Sequence, residues 1–248
     1  MSRFEKAEAT LLHFTLDQPV GGSGVSAMDV VLVELTDSDG VTGLGFAYVI
    51  GGVGGEVVLA AARSTIERLI LNQVLVPPQS LWRRVLASIN RSGLGPNMVA
   101  LAAIDVAAWD MEARRRGVPM GVAMGGAPRA VPVYGSGGFT PNQSPQEAAD
   151  TALAHAARGL SAVKPRVRGA SGDAVLMGAV RAALPPRVQV MFDANEKCDL
   201  IRARRLLAEA RDHGALFVEE PLPAYALAGY RSLAPGPVAL AAGEHLQG

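Results

Sequence analysis

The 248 residues carry 23 basic and 23 acidic side chains, a formal net charge of zero, with 49% apolar and 19% charged residues. That composition can supply a sizeable core for one large or two modest globular domains, and nothing in it favours nucleic acid as a partner. The single cysteine, Cys198, excludes an intrachain disulfide, no run reaches the ~18 apolar residues of a membrane helix, and the start, Met1-Ser-Arg-Phe-Glu, lacks a secretory core, so a cytoplasmic protein is expected.

Two strand patterns, Asp29 to Thr36 and Val41 to Tyr48, flank Asp37-Ser-Asp-Gly40, whose Asp-Gly ending predicts a hairpin. A third strand around Ala7 to Leu16 would complete a small antiparallel sheet. Helical patterns follow over 56–71, 81–89 and 97–116. The last is alanine-rich enough to pack closely on a neighbour, and Arg114-Arg115-Arg116 sits where cations complement a helix dipole. This half reads as an α+β domain over residues 1–125.

The Gly/Pro-rich stretch over 117–128 predicts a boundary, and a different rhythm occupies residues 126–248. Strands are expected at Val131–Tyr134, Ala162–Lys164, Val188–Phe192, Ala215–Val218 and Val238–Gly243. Between them a helix opens at Ser144-Pro-Gln-Glu147, where serine and glutamate three apart form a capping box, and further helices cover 200–213 and 225–233. Gly214 stands where a helix ends. The later strands are almost continuous apolar runs, which predicts a parallel sheet buried on both faces.

Asp193, Glu219 and Glu244 each follow one of these runs and recur about every 25 residues, the length of one strand, one helix and two loops. Lys164 precedes the series by about one more unit. One such acid alone is more often a helix cap or an ion-pair partner. Three delivered to one sheet edge would make a site for a hard cation. Cys198 has no cysteine-enzyme motif around it, and His13, His155 and His213 stand at ordinary helix or strand positions.

The segments Val163-Lys-Pro-Arg166, Phe192-Asp-Ala-Asn195, Phe217-Val-Glu-Glu-Pro221 and Gly243-Glu-His245 resemble the enolase superfamily, in the branch of mandelate racemase and the acid-sugar dehydratases. Asp39-Gly-Val-Thr-Gly-Leu-Gly45, Ala103 to Asp110 and Met124-Gly-Gly126 are similar to the capping domain of that family. The resemblance implies an α/β fold in which a capping domain precedes a TIM-type (β/α) barrel, here incomplete, with about five strands. It implies Mg2+ (or Mn2+) held by Asp193, Glu219 and Glu244, and proton abstraction next to the carboxylate of a small acid such as a sugar acid. Lys164 would be an acid/base or a carboxylate anchor, with a pKa moved downward by the cation and Arg166. Arg166 stands where the racemase pattern has a second lysine; a guanidinium is a poor base, which favours dehydration over two-faced racemisation. Ser136 and Asn195 would face substrate, Glu220 and His245 would support the ligands, and the loop from Pro19 to Ser26 would correspond to a mobile lid. The family's later strands, which carry its His/Asp dyad, have no counterpart here. An enzyme is therefore one expectation, and a noncatalytic remnant or metal-binding interaction module that lacks the general base is the other; in either case the unpaired sheet edges predict a homo-oligomer.

Overall fold

Asp37 shapes the turn predicted at Asp37–Gly40 by accepting hydrogen bonds through Oδ1 from the backbone N–H groups of Asp39 (2.9 Å) and Val41 (3.0 Å). Gly40 follows in the left-handed conformation that the Asp-Gly pair predicts. The computed structural model describes residues 2–20, 25–140 and 142–246. Residues 21–24, at the centre of the expected lid, lie outside the described ones.

The chain forms two compact units, one ending at Ala130 and the other beginning at Val131. In the first, β1 (Phe4–Val20), β2 (Val25–Asp37) and β3 (Thr42–Ile50) make an antiparallel sheet in that order. Four helices follow: α1 (Gly55–Leu69), α2 (Pro78–Ile89), α3 (Gly95–Arg116) and the single turn α4 (Met120–Ala123), which lies inside the stretch read as a plain boundary. Alternation along β2 sends Val31, Val33 and Leu35 into the core with Val58, Ile66 and Ile104.

Close approach of β3 to α3 accounts for the glycines at 43 and 45. A Cβ on Gly45 would stand 2.1 Å from the carbonyl oxygen of Ala103, and one on Gly43 would stand 2.2 Å from that of Ala107. Alanine on the helix and glycine on the strand are therefore two halves of one contact. The arginine triplet at the end of α3 is consumed internally. Arg115 pairs with buried Asp37 and with Asp39 (3.0 Å), Arg114 with Asp110 (2.7 Å), and Arg116 donates to the carbonyl of Ala123.

In the second unit, β4 (Ala162–Val163), β5 (Gln189–Asp193), β6 (Ala215–Glu219) and β7 (Ala239–Ala241) form a parallel sheet whose spatial order is its chain order. Each crossing carries a helix: α6 (Asp173–Ala183), α7 (Leu200–Asp212) and α8 (Leu227–Leu233), with α5 (Pro145–Ala157) leading into β4. That is the singly wound pattern of a β/α barrel wall. Ser144 caps α5 as expected, its Oγ accepting from the Glu147 N–H while Glu147 accepts from the Ser144 N–H (2.7 Å).

Two expectations change. Residues 131–134 are exposed and form no strand; only Gly135 bridges to Val163. Pro132 has no N–H to give a ladder, which leaves the pairing to the residues after it. Burial on both faces holds for β5 and not for β6, where Leu216 is 48% exposed, nor for β7, the outer strand of this sheet among the described residues. Among the described residues no helix is long and apolar enough to cross a membrane.

Candidate functional site

Parallel register builds the site. Asp193, the last residue of β5, lies opposite Glu219, the last of β6, and Arg166 bridges to Asp193 from the other side. Strands that end together on one edge of a parallel sheet deliver their final side chains to a common rim. Lys164, one residue beyond β4, reaches into the same place and is only 6% exposed.

The rim is an ion-pair lattice. Lys164 Nζ donates to Glu219 Oε2 (2.5 Å), stands 3.4 Å from Asp193 Oδ2, and lies 5.3 Å from the centroid of the Tyr134 ring. Arg166 Nη1 donates to Asp193 Oδ2 and to Asn195 Oδ1 (2.7 Å), while Asp193 Oδ1 accepts from the Asn195 N–H (2.9 Å). Asp193 is 1% exposed, and these donors are its partners in place of water.

Burial works against the charge on Lys164, but its hydrogen bond to Glu219 and the charges of Asp193 and Glu219 outweigh burial, and its pKa lies above the ordinary lysine value. The downward shift expected from the sequence belongs to Lys164 beside a divalent cation, whereas its nearest partners here are two carboxylates. Lys164 is an ammonium that donates to Glu219 and stands beside Asp193.

Glu244 does not join the other two acids in this arrangement. Its side chain is exposed, and its backbone N–H donates to Glu220 Oε1 (2.9 Å). Glu219 pairs in register with Ala241, so Glu244 sits three residues past the level of the rim, on the loop after β7. Asn195 is brought to the rim by a left-handed turn (φ 42°) and is held there by Arg166. Ser136 is half-buried on the loop after Gly135, and its side chain makes no hydrogen bond among the described residues. His155, which the sequence marked as ordinary, braces that loop. Its Nε2 lies 2.8 Å from the Gly137 carbonyl, and its ring fills the space over Gly135 where a Cβ would collide.

The residues fit a hard cation by chemistry. Asp193 and Glu219 offer adjacent carboxylate oxygens, and Mg2+ is commonly held by one or two carboxylates together with water and substrate oxygens. The Asp193–Glu219 pair already carries two cationic side chains, so a metal ion must compete with Lys164 and Arg166 for the same oxygens.

Cys198 is buried, and burial first, then nearby acids, pushes its thiol up to about 11. It packs beneath Gly169, where a Cβ would stand 2.5 Å from its sulfur. Its role is in packing.

Comparison with known proteins gives a consistent family. The model for the "Mandelate racemase / muconate lactonizing enzyme, N-terminal domain" matches residues 14–125, and that for "Enolase C-terminal domain-like" matches residues 147–248. An L-talarate/galactarate dehydratase from Salmonella typhimurium is 29% identical over 94% of this chain and 61% of its own length. A 3,6-anhydro-alpha-L-galactonate cycloisomerase from Streptomyces coelicolor is 28% identical over 88% of this chain and 61% of its own. The crystal structure of the Salmonella dehydratase liganded with Mg and L-lyxarohydroxamate superposes with a TM-score of 0.87 at 25% identity, covering 99% of this chain and 66% of that one. The chain thus spans about three fifths of the length of these curated relatives.

Proposed function

Because the chain belongs to the mandelate racemase / muconate lactonizing enzyme branch of the enolase superfamily, we propose that it acts on a hydroxy or sugar acid, by cation-assisted removal of the proton next to the carboxylate and then loss of water. The observation that carries this reading is the register that sets Asp193 beside Glu219 with Lys164 in reach of both. Relatives named as dehydratases and cycloisomerases of sugar acids support it. In this reading residues 1–125 are a capping domain and residues 126–248 are part of a (β/α) barrel.

Asp193 and Glu219 are the proposed holders of Mg2+, and Mn2+ suits the same hard oxygens; Glu244 remains the third proposed ligand by its place in the sequence series. A bound divalent cation supplies a Lewis acid for the carboxylate oxygens of the substrate. Lys164 anchors that carboxylate or gives its ammonium proton to the departing hydroxyl, which leaves as water, and the base that takes the proton next to the carboxylate is a group other than Lys164 and Arg166. Arg166 cannot take a proton, so its part is to hold Asp193 and Asn195 in position, which favours dehydration over two-faced racemisation. Asn195 and Ser136 are proposed substrate contacts.

Loss of water from a 2,3-dihydroxy acid leaves an enol that becomes a 2-keto acid, which a carbonyl reagent detects. Purified chain with Mg2+ should form 2-keto acid from at least one member of a panel of sugar acids, and Asp193→Asn should lower the rate by about 100-fold or more. A second reading is favoured by the neutralisation of Asp193 and Glu219 by Lys164 and Arg166: a cation-binding protein without turnover. Stoichiometric Mg2+ binding with no keto acid from any panel member would select it.

A further inference from the structure

Just beyond the rim, three successive loops each place one metal-ligating side chain at a common point. Glu196 follows Asn195 after β5, Glu220 follows Glu219 after β6, and His245 follows Glu244 after β7. Each offers one ligand atom, and the three atoms lie within 4.8 Å of one another. None of the three belongs to the Asp193–Glu219 pair, and in the sequence reading Glu220 and His245 had at most a supporting part.

Charge separates the two clusters. Asp193 and Glu219 are matched by Lys164 and Arg166, whereas among the described residues neither Glu196 nor Glu220 pairs with any lysine or arginine. Glu220 is 1% exposed. Its Oε1 accepts from the backbone N–H groups of Gly243 (3.2 Å) and Glu244 (2.9 Å), while its Oε2 is buried with no donor at all among the described residues. A buried carboxylate oxygen with no donor and no cationic partner is costly, and a bound cation removes that cost.

The spacing points the same way. Glu196 Oε1 is fixed by the Ala224 N–H (2.6 Å), which leaves Oε2 at 3.3 Å from His245 Nδ1. Charge-assisted hydrogen bonds between such groups run at about 2.7–2.9 Å. Two ligands each about 2.0–2.1 Å from a tetrahedral zinc stand about 3.3 Å apart. The pair is thus too far apart for a good hydrogen bond and at the right distance for shared coordination.

We propose that Glu196, Glu220 and His245 form a second cation site, separate from the Asp193–Glu219 rim, that takes a borderline divalent metal of the zinc class in preference to Mg2+. Two carboxylate oxygens and an imidazole nitrogen suit Zn2+ or Co2+, while an imidazole is a poor ligand for Mg2+. Three protein ligands leave a fourth position open, and His245 is exposed, so the metal enters and exchanges from solvent.

The test is a titration of the purified chain with Co2+, read by its visible absorption, followed by displacement with Zn2+ and, separately, with millimolar Mg2+. The expected result is one Co2+ per chain at this site, displaced by Zn2+ and not by Mg2+. Glu196→Gln and His245→Ala should each weaken Co2+ binding at least tenfold, with Asp193→Asn unchanged within twofold. Neither Glu196 nor His245 belongs to the core, and far-ultraviolet circular dichroism confirms that each variant folds; if one does not, the other decides. No Co2+ binding by the parent chain overturns the proposal, as does parental affinity in a folded Glu196→Gln or His245→Ala. Equal loss in Asp193→Asn also overturns it, because the cation would then belong to the rim.

Discussion

Lys164 occupies the position that a cation would have to share. At 2.5 Å from Glu219 and 3.4 Å from Asp193, its ammonium supplies charge to both acids. Two unit charges about 4 Å apart interact by about 4 kcal/mol at the effective dielectric of a protein rim, a large part of which is lost when either is displaced. Lys164→Met should therefore raise Mg2+ affinity, by about tenfold in isothermal titration, once the cost of removing the charge from the apo rim is released on binding. Unchanged or weaker binding would show that the ammonium does not compete. At Cys198 the argument concerns pH. The thiol is pushed to about 11 in the folded chain from an ordinary value of 9.0, so the folded state keeps a proton that the unfolded chain gives up as pH rises between those values. Linkage then makes stability fall with rising pH across that window, by at most about 3 kcal/mol. Cys198→Ala, compared with the parent in urea melts at pH 8 and pH 11, should lack this part of the decline. Equal declines in both proteins would remove burial of the thiol as the cause.

Helix and strand dictate each other's residues where α3 meets β3. A methyl group at position 45 would meet the Ala103 carbonyl and the Ala107 amide of a helix held by its own hydrogen bonds, so neither side can give way cheaply. Gly45→Ala should cost about 3 kcal/mol or more in urea unfolding, and an unchanged midpoint would mean that the helix shifts freely. The Asp37–Gly40 turn and the Ser144–Glu147 box were legible in the sequence, because each is a local rule with its residues a few positions apart; of this contact only the alanine-rich half was, because its glycine partners lie far away in the chain. The Asp193–Glu219 pairing was legible too, since equal spacing in β/α units translates directly into register. Glu244 keeps the same spacing but stands three residues beyond β7, on a loop where strand register does not fix its side chain. The same reason hid Glu196, Glu220 and His245 as a group. Their common signal, an extra ligand-type residue just after each strand end, becomes visible only once the left-handed residues Asn195, Glu196 and Glu220, in two loops, bring the side chains together. Residues 131–134 misled in the opposite sense, reading as a strand by apolar pattern while Pro132 withheld the hydrogen bond.

Two cores, one built around Val33, Leu35 and Ile104 and the other around Val190, Phe192 and Leu206, make the molecule a pair of units with separate sources of stability. All the acids of the rim and of the second cluster belong to the unit that begins at Val131. A ligand stabilises only states that bind it, by about 2.7 kcal/mol at 100 times its Kd. Hydrogen exchange resolves where that energy appears, because amides open in locally cooperative groups. Saturating Mg2+ should slow exchange in the segments that carry the proposed ligands, around 190–196 and 216–224, where the Ala194 N–H donates to Glu219 and the Glu196 N–H to Glu220. Amides of β1, β2 and β3 should exchange at the same rate with and without the ion. Asp193→Asn should abolish the protection around 190–196. Uniform slowing across both units would mean instead that the cation acts on the chain as a whole, and the assignment of the rim as its place of binding would fail.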